Sequence, residues 1–141
     1  HDCIVGKNCI FSNNSTLAGH ITVGDYVVLA GMTAVHQFVS IGNHAFVTGG
    51  SLVRKDVPPF IKAAREPLTF AGVNSVGLRR RGYSDEQVRE IEDIYRAIYV
   101  QNSNLSKGVE AVLQSMDKTP LRDEIIGFIQ GSDKGVIRGM I

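Results

Sequence analysis

His1 and Asp2 stand side by side, and that pair is a unit of acid–base chemistry. A carboxylate beside an imidazole fixes its tautomer and stabilises its protonated form. The dipeptide alone is a weak motif, but two further histidines strengthen it. His1, His20 and His36 are separated by nearly equal intervals, each close to three hexapeptides. If three hexapeptides make one circuit of a coil, the three fall near one corner of successive coils. His44 falls on another face, where a satisfied surface or core histidine is expected. One chain does not bring all three to a single metal. His1 and His36 would lie two coils apart, about 10 Å, whereas zinc holds nitrogens at about 2.1 Å. A metal site between subunits stays open. Further along, Arg79, Arg80 and Arg81 form a run of cations, one of which is expected to be merely solvated.

The element that would position these residues is written as a hexapeptide repeat. Stepping by six from Val5 gives Phe11, Leu17, Val23, Leu29, Val35, Ile41, Val47 and Val53, all large and apolar. The residue after each is mostly small, and His36 breaks that rule. The residues four further on, from Cys9 to Val57, are small or β-branched. Neither a helix nor a simple strand has this period. Three hexapeptides close a triangular coil, and coils stack as parallel strands roughly 4.8 Å apart. Asn8, Gly24-Asp25 and Gly42-Asn43 are expected to tolerate the corners. Cys3 and Cys9 fall in the inward column and read as buried core thiols.

The chain of 141 residues has two textures. Residues 1–59 hold only Lys7, Arg54, Lys55, Asp2, Asp25 and Asp56 as charges; the rest of the 15 cations and 14 anions lie beyond. Pro58-Pro59 is expected to end the ladder. The division is therefore 1–59 repeat, 60–83 last coil and connecting loop, and 84–141 helices. Ser84 and Gln87 form a capping box, and Val88, Ile91, Ile94, Tyr95 and Ile98 follow on one face. Ser106 is read as the next N-cap, with Val109, Val112, Leu113 and Met116 inward. Thr119 caps the last helix, Pro120 enters its first turn and Gly131 stops it. A net charge of +1 and the lack of a Rossmann, P-loop or aromatic-basic pattern argue against nucleic-acid binding. No apolar run spans a bilayer and no stretch reads as a secretory signal, so a cytoplasmic protein with reduced thiols and no stable membrane insertion is expected. The sequence opens in mid-pattern at His1, which suggests the C-terminal portion of a longer polypeptide.

The stretches "HDC", "NNSTLAGH", "AGMTAVHQF", "DVPPF" and "GVNSVGLRRRG", with the helices after them, resemble the acyl-[acyl-carrier-protein]–UDP-N-acetylglucosamine O-acyltransferases that begin lipid A synthesis. The hexapeptides alone are unspecific; "MTAVHQF" with "NxxGLRRRG" is specific. The resemblance implies a left-handed parallel β-helix of hexapeptide repeats followed by a C-terminal α-helical domain, against the usual right-handed crossover. It implies a homotrimer with active sites between subunits. A 3-hydroxyacyl chain would pass from acyl carrier protein to the 3-hydroxyl of the UDP-sugar. No cofactor would be bound, since the acyl donor rides on the phosphopantetheine of the carrier. By the same resemblance His1 is the general base, Asp2 orients it and the Gly19 N–H is the oxyanion donor. His20, His36 and Gln37 would line the sugar and pantetheine. Asn74, Arg80 and Arg81 would contact the nucleotide and its phosphates, and Gly49 would limit acyl length. Val76 departs from the family, where a glutamate stands two positions after the asparagine. Charge alone nominates Arg54, Lys55, Lys62, Arg65, Lys134 and Arg138 toward an acidic carrier protein.

Three alternatives stand beside this reading. A related hexapeptide N-acyltransferase fits less well, because of "GLRRRG" and the helices after it. A metal-dependent hydratase on the same prism would use inter-subunit histidines. A non-catalytic scaffold gives no reason for "HD" and the arginine triplet to occur together.

Overall fold

The computed structural model describes residues 1–139. Nine very short strands recur once per hexapeptide: β1 (Ile4–Val5), β2 (Ile10–Phe11), β3 (Thr16–Leu17), β4 (Thr22–Val23), β5 (Val28–Leu29), β6 (Ala34–Val35), β7 (Ser40–Ile41), β8 (Phe46–Val47) and β9 (Leu52–Val53). They stack into three parallel sheets, β1-β4-β7, β2-β5-β8 and β3-β6-β9. Each rung pairs positions three hexapeptides apart, as Val5 with Val23 and Leu17 with Val35. The chain is a β-solenoid. The predicted interior column is buried from Val23 to Val53, and so is the second inward column from Ile21 to Val57. Burying each aliphatic side chain of this kind stabilises by roughly 1.5–3 kcal/mol. Among the described residues no strand lies below the first coil, so Val5 and Phe11 are exposed and Cys3 and Cys9 only half-buried. Both thiols do point inward, toward the carbonyls of Ala18 and Gly24 on the next coil.

The corners differ from expectation. The left-handed conformation recurs once per hexapeptide, at Asp2, Asn8, Asn14, His20, Tyr26, Met32, Phe38, His44 and Gly50. Asn8 fits the expected corner chemistry; aromatic residues and histidines do not. A non-glycine residue in this region costs roughly 1–2 kcal/mol. Stacking along an edge offsets that cost. His20 stacks on Phe38 with ring centroids 5.0 Å apart, and His44 lies between Tyr26 at 5.1 Å and Phe60 at 5.8 Å. Asp25 and Asn43 have another task. The Lys7 N–H donates to Asp25 Oδ1 at 2.8 Å, and the Asp25 N–H donates to Asn43 Oδ1 at 2.7 Å.

Pro58-Pro59 does not end the ladder. Ile41 bridges Val57, and Phe46 pairs with Lys62, each two positions short of the spacing in the earlier rungs. The proline pair therefore sits in a shortened coil, and Gly42 allows it. A Cβ on Gly42 would meet Pro59 N at 2.5 Å. Residues 60–83, expected as the last coil and a connecting loop, hold a further rung, a hairpin and a short helix. Strand β10 (Ile61–Ala64) joins β8 in parallel and β11 (Thr69–Val73) in antiparallel fashion. Helix α1 (Ser75–Arg80) follows, capped by Asn74.

Three longer helices complete the chain: α2 (Asp85–Tyr99), α3 (Leu105–Ser115) and α4 (Pro120–Gln130). The capping box at Ser84 and Gln87 forms, and Val88, Ile91, Ile94, Tyr95 and Ile98 are buried. Thr119 caps α4, with Pro120 in its first turn, and Gly131 is its C-cap. The cap of α3 is Asn104, not Ser106, because the Asn104 carboxamide reaches the Lys107 N–H at 2.9 Å. Leu113 is exposed, against expectation, whereas Met116, the C-cap of α3, is half-buried against the core. Helices and solenoid share one apolar core. Tyr95, fully buried in α2, donates its hydroxyl to the Pro59 carbonyl at 2.5 Å.

Candidate active site

The solenoid has three edges, and the predicted site residues divide among them. One edge carries the acid–base group. Asp2 and His20 occupy its left-handed corners on successive coils, which brings both side chains beside His1. His1 Nδ1 lies 2.7 Å from Asp2 Oδ2, and the His1 and His20 rings meet edge-on at 5.1 Å. His20 Nε2 is 3.9 Å from the same carboxylate oxygen. With Nδ1 held by Asp2, the free His1 nitrogen is Nε2, and it lies over Gly19. A Cβ on Gly19 would sit 2.9 Å from it, so a side chain there would push the ring aside.

The Gly19 N–H has no protein acceptor among the described residues. At the equivalent position of the neighbouring edge, the Asp25 N–H is taken by Asn43. A free N–H beside a free imidazole nitrogen can stabilise an oxyanion while the imidazole moves a proton. The ligand atoms of His1, Asp2 and His20 lie within 4.8 Å of one another, so two histidines and a carboxylate converge where the spacing suggests three histidines. The 2.7 Å His1–Asp2 separation is a hydrogen-bond distance, which orients the ring.

His36 does not join this cluster. It stands two positions before its left-handed corner, and Phe38 takes that corner and stacks on His20. His36 and Gln37 are exposed instead in a groove of about 430 Å³, with Ala18, Leu52 and Arg54. The groove runs beside the His1 edge, since Ala18 adjoins Gly19.

The second edge receives α1. Asn74 is buried: its carboxamide donates to the His44 carbonyl at 2.9 Å and accepts from the Gly77 N–H at 3.3 Å. The three arginines have separate surroundings. Arg79 pairs with Asp85 at 3.0 Å, Arg80 is exposed, and Arg81 lies half-buried against His44 and over the Tyr26 ring. Val76 is 62 % exposed on the same helix. Gly49 lies on the third edge, exposed and 3.2 Å (from its would-be Cβ) from the Gly31 carbonyl. Sequence reasoning missed Tyr26, Phe60 and Tyr83, which pack around His44. The spacing of Tyr26 and His44, one full coil, was the available signal.

A parallel hexapeptide solenoid with a His–Asp pair on one edge defines a class of repeat protein equipped for proton transfer. The comparisons narrow this. The family model described as "Udp N-acetylglucosamine O-acyltransferase; Domain 2" matches residues 56–137. The chain belongs to that family. It is 44 % identical to the acyl-[acyl-carrier-protein]–UDP-N-acetylglucosamine O-acyltransferase of Herminiimonas arsenicoxydans, over 98 % of this chain and 54 % of that protein. It is 38 % identical to the protein of that name from Aliivibrio salmonicida, over 98 % and 53 %. The crystal structure of a UDP-N-acetylglucosamine acyltransferase from Bacteroides fragilis superposes with a TM-score of 0.94 at 37 % identity, over 98 % of this chain and 54 % of that one. The chain spans about half the length of the curated relatives it matches.

Proposed function

We propose that this chain supplies the catalytic edge of an O-acyltransferase that moves a 3-hydroxyacyl group from acyl carrier protein to the 3-hydroxyl of UDP-N-acetylglucosamine, the first step of lipid A synthesis. The observation that carries it is the His1 Nε2, free of a protein partner against Gly19, whose own N–H is unpaired among the described residues, while Asp2 holds Nδ1. A sugar hydroxyl is a poor nucleophile at neutral pH. His1 takes its proton as the oxygen attacks the thioester carbonyl, and Asp2 steadies the imidazolium. The Gly19 N–H receives the oxyanion. On collapse the C–S bond breaks, and the imidazolium returns the proton to the phosphopantetheine thiolate. His20, His36 and Gln37 line the sugar and pantetheine in this reading, and Asn74, Arg80 and Arg81 the nucleotide. No bound cofactor takes part.

The division of these residues among three edges supports sites shared between copies, as in a homotrimer. In such an assembly Gly49 of one copy limits the acyl chain held against another. We extend the family's properties to a left-handed winding, a C-terminal helical domain and a cytoplasmic location; no helix among the described residues is long and apolar enough to cross a membrane. Arg54, Lys55 and Arg138 rim an apolar cavity of about 310 Å³, which suits contact with an acidic carrier and its arm.

The test is acylation by the full-length parent, with 3-hydroxyacyl carrier proteins and UDP-N-acetylglucosamine, with and without chelator, beside H1A. Ester formation that resists chelator and is lost in H1A supports the proposal. Ester formation abolished by chelator moves the assignment to the metal-dependent reading, and no acylation under any condition removes it.

A further inference from the structure

His44 and Asn74 are equally enclosed polar groups on the second edge, and the His1 chemistry does not use His44. It is 7 % exposed. Tyr26 and Phe60 cover its two faces, and Tyr83 meets it edge-on at 5.1 Å. Both ring nitrogens have partners. Arg81 Nη1 lies 3.1 Å from Nδ1, and Tyr83 Oη lies 3.3 Å from Nε2. A guanidinium only donates. Nδ1 must therefore carry a lone pair, Nε2 carries the proton, and Tyr83 accepts it. Burial, then the Arg81 charge, hold the imidazole's pKa down to about 4, with Asp25 acting the other way, so the ring is neutral. The His44 carbonyl in turn receives Asn74, the cap of α1. One residue thus grips both ends of the arginine-bearing segment.

We infer that His44 is a positioning residue for the nucleotide site: its neutral imidazole accepts one N–H of Arg81 and aims the remaining donors at the diphosphate of the UDP-sugar. The inference rests on the nucleotide reading above. Arg80, exposed and without a partner among the described residues, can reach the same diphosphate flexibly, whereas Arg81 is set in place by His44 below and Tyr26 alongside.

The corner itself supplies the clean substitution. Phe38 and Phe60 adopt the same left-handed backbone, with φ of 66° and 74° against 62° for His44. His44→Phe keeps the stack and removes both ring hydrogen bonds, the acceptor for Arg81 and the N–H given to Tyr83. His44→Asn keeps an acceptor near Nδ1 on a residue that tolerates this backbone. In the full-length parent, H44F should weaken UDP-N-acetylglucosamine binding about tenfold by calorimetry, the loss of one hydrogen bond to a charged group. Its KM should rise while kcat stays within about twofold, and H44N should stay within about threefold of wild type. The H44F/R81A double variant should bind no more weakly than R81A, since both remove one interaction. Equal loss in H44F and H44N, no loss in H44F, or fully additive losses would overturn the positioning role alone. A wild-type parent that does not bind UDP-N-acetylglucosamine would overturn the nucleotide reading and this inference with it. If H44F fails to fold, Y83F carries the test: it removes the acceptor that selects the tautomer and should weaken binding about threefold, and unchanged affinity would end the idea.

Discussion

Two edges of one solenoid, built from the same repeat, have opposite characters. The edge of Tyr26 and His44 is closed. Its backbone donors go to side chains of the next coil, Lys7 to Asp25 and Asp25 to Asn43, and the Asn43 amide continues to Glu124 of α4 at 3.0 Å. Helices and aromatic rings cover what remains. The edge of Asp2 and His20 is open. The Gly19 N–H has no protein acceptor among the described residues, and His1, Asp2 and His20 are exposed. One register position carries Lys7, Asp25 and Asn43 on the first edge and His1, Gly19 and Gln37 on the second. Asp25 and Asn43 reach the N–H of the coil below; Gln37, which holds Asn43's place on the second edge, makes no such bond to Gly19. An edge becomes a site where its side chains leave the backbone unpaired.

The comparison breaks most readily at His1. H1A should lower kcat by about 10³-fold, the range of a general base, with a nearly unchanged melting temperature because the His1 side chain is largely exposed. A large drop in melting temperature would show that the open edge is structural. Next is G19A: the added methyl would lie 2.9 Å from the His1 ring, and activity should fall about 10²-fold through displaced base and blocked donor. The opposite signature is expected from N43A, which strips an acceptor from Asp25 and a donor from Glu124. Chemical denaturation should show a loss of about 2 kcal/mol while kcat holds; an activity loss without destabilisation would erase the distinction between edges.

The remaining effect is a pH dependence of stability. Unfolded His44 binds a proton near pH 6.5, but the folded residue does so only near 4. Between those values the unfolded state holds more protons, so stability from this group falls as pH drops from 6.5 to 4 and is flat above. Glu124, half-buried at the same edge and raised from its ordinary value by burial, contributes in the opposite direction. The difference between wild type and H44F in denaturation at about pH 7 and about pH 4.5 isolates His44. Equal slopes would show that the imidazole is not held neutral.

Much of the fold was legible because a solenoid repeats its argument. The apolar column from Val23 to Val53 needed only a count of six, and His1, Asp2 and His20 converge because three hexapeptides make one coil. Helix ends were legible where a cap and a breaker agreed, as at Ser84 and Thr119. The errors lie where local and distant partners compete. Pro58-Pro59 reads as a terminator, yet Gly42 lets the prolines pack inward and a shortened coil continues the ladder. Tyr26, Phe38 and His44 are poor corner residues by propensity, and only stacking between coils makes them good ones.

By itself, then, the sequence determined the repeat, the core and the convergence of His1, Asp2 and His20 on one edge, because each follows from spacing along the chain. Only the tertiary structure decided which arginine is held and which is free, that Asn74 is a buried cap, and that His36 lines the groove beside the His1 edge without joining the cluster itself. Those outcomes depend on what lies across the coil or on another element, and spacing does not encode such neighbours.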